Sequence, residues 1–61
     1  MQYDNPNLVG TLWQDIHGKY FLIIDIVFWY GRLEYLIQQV DTGNNYQNEA
    51  VDFFHYHTQI S

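Results

Sequence analysis

Residues 19–30 read KYFLIIDIVFWY, and residues 31–41 read GRLEYLIQQVD. The first run is almost entirely β-branched or aromatic, the composition of a buried or half-buried strand. A Gly-X pair between two such runs predicts a type II′ hairpin around Gly31-Arg32, because its first central residue takes φ > 0 and glycine does so cheaply. In that register Tyr30 faces Leu33, Phe28 faces Tyr35 and Ile26 faces Ile37, cross-strand pairs of the kind that stabilise sheets. Leu33, Leu36, Ile37 and Val40 also fit the i, i+3, i+4, i+7 stripe of an amphipathic helix. The hairpin signal before them, and the turn sequence Asp41-Thr42-Gly43-Asn44-Asn45 after them, favour the strand.

The long strand is apolar on both faces. Leu22, Ile24, Ile26 and Phe28 fall on one side, and Phe21, Ile23, Val27 and Trp29 on the other. Two arrangements keep that surface out of water. The strand can bend or bulge midway and serve two sheet directions, or a second copy can cover the spare face. Asp25 is costly to bury alone and belongs at the bend, at an edge or in a pair. The second arrangement predicts a homodimer with its contact around Val27, Trp29 and Tyr30.

Working outward, residues 1–7 (MQYDNPN) read as a loose lead-in, and residues 8–61 as a single small β-barrel domain. LVGTLWQ (8–14) is a first strand, with Val9, Thr11 and Trp13 on one face. Asp15-Ile16-His17-Gly18-Lys19 then reverses the chain, using a turn acid and a glycine able to take φ > 0. After the 41–45 turn, residues 46–48 form a short strand and 48–52 one helical turn with Asn48 as its cap. FFHYHTQI (53–60) alternates and reads as a closing strand.

One domain of 61 residues lies near the lower size at which a core alone offsets chain entropy. Without cysteine there are no disulfides, so burial must supply the stability; two Trp, six Tyr and four Phe provide area for it. Seven acidic residues stand against Lys19 and Arg32, a net charge of −5. Two cations cannot supply the several phosphate contacts of ordinary nucleic-acid binding, so direct binding of that kind is disfavoured. The acids instead suit a protein partner with a basic surface, or serve solubility. No apolar run reaches the roughly 20 residues of a membrane span, and the N-terminus lacks the charge and apolar pattern of a signal peptide. A cytoplasmic protein is expected.

The order of strand, turn, long strand, tight hairpin, strand, turn, short strand, single helical turn and last strand resembles the SH3-like small β-barrels, a group with many short bacterial and phage proteins. VGTLWQDIHGKYFLIIDI, EYLIQQVDTGNNY and DFFHYHTQI carry the resemblance. It implies an all-β barrel of about five strands with one short helical turn near the C-terminus. Together with the chain's size it also implies a phage-type inhibitor or accessory factor in host cytoplasm, which the acidic balance would direct to a basic host protein surface. No ligand-groove residues carry over position by position.

Chemistry-bearing patterns are sparse. His55 and His57 alternate on the expected last strand, so both point to one face; His17 and a carboxylate such as Asp52 or Glu49 are needed to complete a metal site. H-x-H alone is a weak motif, and no cofactor is expected. There is no Cys nucleophile, no hydroxyl in a nucleophile motif and no phosphate loop, so an enzyme is not expected. Exposed aromatics can stack single-stranded bases, but here the accompanying positive groove is missing. Beside acids they suit protein recognition better. The expected partner-binding residues are Glu34, Asp41, Glu49, Asp52, Trp29, Tyr30 and Tyr35. The competing readings are a metal-binding protein using His17, His55 and His57, and a structural oligomer subunit.

Overall fold

The computed structural model describes residues 5–61. Five antiparallel strands form one sheet: β1 (Leu12–Asp15), β2 (Tyr20–Trp29), β3 (Arg32–Gln39), β4 (Asn45–Glu49) and β5 (His57–Gln59), in the order β4-β3-β2-β1-β5. One helix, α1 (Ala50–Tyr56), joins the two edge strands β4 and β5. The edges do not pair with each other, so the hydrogen-bonded sheet is open and α1 bridges its ends. Residues 33–39 are strand, as the turn signals around them predict.

The tight hairpin differs in register from the expected one. Its two-residue loop is Tyr30-Gly31, with φ 49 and φ 76, and Trp29 pairs with Arg32. This is the two-positive-φ pattern of a type I′ turn, with glycine in the second central position instead of the first. Phe28 therefore faces Leu33 and Ile26 faces Tyr35. The shift sets Ile26 against the buried Tyr35 and leaves Phe28 beyond the edge of the core.

The two-faced strand resolves its apolar surplus by a bulge. Register slips between Ile23 and Asp25, so Ile24 is an extra residue. Before the bulge Phe21 and Ile23 point inward; after it Ile26 does. Asp25 sits exposed at the bend, its carboxylate accepting the Ile26 N–H at 2.8 Å. A β-bulge transfers the inward face by one residue without breaking the strand.

The core collects Trp13, Phe21, Ile23, Tyr35, Ile37, Ala50 and Phe53, with Leu8, Ile26, Leu33 and Phe54 packed on it. Its rings meet edge to face: Trp13 with Phe53 at 5.1 Å and with Phe54 at 5.0 Å, and Tyr35 with Phe53 at 5.5 Å. Edge-to-face pairs add to the burial of large side chains, which is how so short a chain fills an interior.

Residues 53–56 are helical, where alternation suggests a strand. The inward positions are Ala50, Phe53, Phe54 and His57, spaced i, i+3, i+4 and i+7. That stripe places both adjacent phenylalanines toward the core, which a strand's two-residue period forbids. The helix N-cap is Glu49, not Asn48. At the N-terminal side, Pro6–Leu8 forms a single 3-10 turn whose first N–H groups are served by Asn5; the rest of the expected lead-in lies outside the described residues.

Candidate functional site: the aromatic hairpin tip

Strand β2, at about 3.3 Å per residue, runs roughly 30 Å. Its tip carries three consecutive aromatics in water: Phe28 is 72% exposed, Trp29 52% and Tyr30 85%. Trp29 and Tyr30 meet edge to face at 4.9 Å. Arg32, directly opposite Trp29, is also exposed. None of these four side chains makes a hydrogen bond or ion pair among the described residues.

Next along the same face come Val27 opposite Glu34, and Glu34 opposite Glu49. Like charges directly opposite each other on adjacent strands are unfavourable. Gln47 relieves part of that by donating from its amide to the Glu34 carboxylate. Asp52 lies exposed in the first turn of α1, where a negative charge suits the helix dipole.

Of the residues expected to bind a partner, Trp29, Tyr30, Glu34 and Glu49 come together, with Asp52 three residues beyond Glu49. Tyr35 does not belong: it is 0% exposed, at the centre of the core, so it has no surface to offer. Asp41 lies at the opposite end of the β2–β3 pair, 3.4 Å from the Lys19 ammonium and 2.7 Å from the Gln39 amide. The Gln39 hydrogen bond, and Lys19 after it, hold its carboxyl below the ordinary value. Phe28 and Arg32 join the site unforeseen. Arg32 belongs to the tip in either reading of the turn, and the Tyr30-Gly31 loop sets it directly opposite Trp29.

The histidines do not converge. His17 is exposed in the β1–β2 turn, His55 is exposed on α1, and His57 opens β5 with its ring stacked on Phe53 at 4.1 Å. The shared strand face that would have paired His55 with His57 is absent, because the helix runs through residue 56. Among the described residues no three metal-ligating side chains cluster, and no helix is long and apolar enough to cross a membrane. No known family, curated protein or solved structure matches this chain.

Proposed function

We propose that this chain is a small protein-binding module that docks a partner through the aromatic tip of the β2–β3 hairpin, beside the Glu34–Glu49 acidic pair. The observation that carries this reading is Tyr30. A bulky side chain at φ 49 is conformationally costly, and at 85% exposure its ring gains only an edge contact with the neighbouring Trp29. Binding is the use that fits such a residue, since Trp and Tyr dominate the energetic centres of interfaces. The unfavourable placement of Glu34 against Glu49 supports a basic partner surface in the same way. Acids then steer the encounter, and aromatics set how long the complex lasts. An inhibitor or accessory factor acting on another protein requires no more than this.

The test compares three immobilised proteins in extract of the native cells: wild type, Trp29→Ala/Tyr30→Asn, and Glu34→Lys/Glu49→Lys. A basic protein should be retained by wild type, dissociate faster from the tip variant, and associate more slowly with the charge-reversed one as well as at high salt. Equal retention by all three would end the reading. Capture of a second copy of the chain, lost with the tip variant, would replace it by the homodimer.

A further inference from the structure

At the end of the sheet away from the aromatic tip lies a cleft of about 260 Å3, lined by Phe21, Ile37, Gln39, Tyr46, Asn48 and His57. Phe21 and Ile37, on the central strands, are buried and form its floor. Tyr46 on β4 and His57 on β5 flank it, so the cleft occupies the gap between the two sheet edges that do not pair. The Phe21 ring meets Tyr46 at 6.5 Å and His57 at 5.2 Å, both edge to face.

The polar atoms here are few. His57 Nδ1 lies 2.9 Å from the Phe53 carbonyl oxygen. A carbonyl only accepts, so Nδ1 carries the proton, and in the neutral ring Nε2 holds the lone pair. Nε2 has no partner among the described residues. The Gln39 amide is already committed, donating to Asp41 at 2.7 Å and accepting from the Tyr46 hydroxyl at 3.4 Å. The Asn48 side chain, half-buried, makes no hydrogen bond among the described residues.

We propose that this cleft binds a small, uncharged, planar aromatic molecule bearing one N–H or O–H group, an indole or a phenol, with that group donating to His57 Nε2. Each part of the description follows from the lining. Three rings in the lining, Phe21, Tyr46 and His57, favour a flat aromatic. The volume is below the usual range of sites for drug-sized ligands, so a single ring system is the largest fit. No Lys or Arg lines the cleft to neutralise an anion, and no carboxylate to neutralise a cation. The free acceptor selects a donor, because a ligand lacking one leaves Nε2 desolvated and unpaired.

Titration with indole, N-methylindole and benzoate, followed by amide NMR, tests this. Indole should perturb Tyr46, Asn48 and His57 saturably, with a Kd on the order of 1 mM, as expected for so few atoms. N-methylindole should bind about five- to tenfold more weakly, the loss of one hydrogen bond, and benzoate more weakly than indole. In His57→Phe, which keeps a ring to stack on Phe53, indole and N-methylindole should become equal. The proposal is overturned if wild type binds both indoles alike, if the difference survives in His57→Phe, or if no saturable change appears at the cleft. Should His57→Phe fail to fold, the wild-type ratio decides alone.

Discussion

The two ends of the β2–β3 hairpin are built on opposite terms. At the end away from the tip, the side chains serve the backbone. The Asp15 carboxylate accepts the His17 and Lys19 N–H groups, each at 2.9 Å; Gly18 takes the left-handed position at φ 82; and the Thr42 hydroxyl accepts the Asn44 N–H. Lys19 and Asp41 pair across the two turns at 3.4 Å. At the tip a tyrosine takes a left-handed conformation beside Gly31, preceded by the exposed Phe28 and Trp29, and its ring meets only that of Trp29. One end follows the rules of folding, and the other departs from them at a cost. Departures of that kind concentrate where a protein meets its ligands.

The sharpest contrast is between aromatics of the core and of the tip. Phe53→Ala should cost about 3–5 kcal/mol, comparable with the whole stability of so small a domain, whereas Trp29→Ala should stay within about 0.5 kcal/mol of wild type. Chemical denaturation of the two variants measures both, and a similar large loss for Trp29→Ala would make the tip part of the core. Within the tip itself, Gly31 obeys the rule that Tyr30 breaks. A Cβ at Gly31 would meet no atom within 4 Å beyond its two chain neighbours, so Gly31→Val chiefly reports the backbone penalty at φ 76 and should cost on the order of 1 kcal/mol or more. An unchanged midpoint would discard the turn assignment.

At the other end, Asp15→Ala removes the acceptor of two backbone N–H groups and should cost about 1 kcal/mol. The partner binding proposed for the tip should be unaffected. The smallest effect belongs to Asp41. Its folded-state pKa is lowered, so its contribution is complete above the ordinary carboxylate value and is lost as pH falls through the lowered one. Asp41→Asn should therefore be slightly less stable than wild type at neutral pH and equal to it in strong acid. Urea midpoints across that pH range would show a constant offset if the interaction with Gln39 and Lys19 were not the cause.

Much of this fold is legible in the sequence, because strand composition and turn chemistry agree over most of its length. The reversal at residues 15–19 and the strand through residues 33–39 follow from local pattern, whereas for Asp25 the pattern offers a bend, an edge or a pair and the bulge between Ile23 and Asp25 selects the bend. The hairpin register does not. Gly31 fits either a Gly-Arg or a Tyr-Gly loop, and only the interior, which needs Ile26 against Tyr35, chooses between them. The C-terminal segment fails for a related reason. FFHYHTQI satisfies a two-residue period, and the decisive term is the burial of both Phe53 and Phe54 against Trp13 and Tyr35, partners far away in sequence. In the candidate site Tyr35 falls out because the helical Phe53 and Phe54 pack on it, and Asp41 because it pairs with Lys19 at the far end of the hairpin.

The claim that the tip is shaped for binding at the expense of folding is tested most directly by Tyr30→Asn, which installs the Asn-Gly pair that a type I′ turn prefers. Equilibrium denaturation of this single variant against wild type is the measurement. The expected result is a gain of about 0.5–1 kcal/mol, since asparagine tolerates the left-handed conformation that tyrosine resists. A loss of stability, or none gained, would mean that Tyr30 serves the fold after all and would contradict the account.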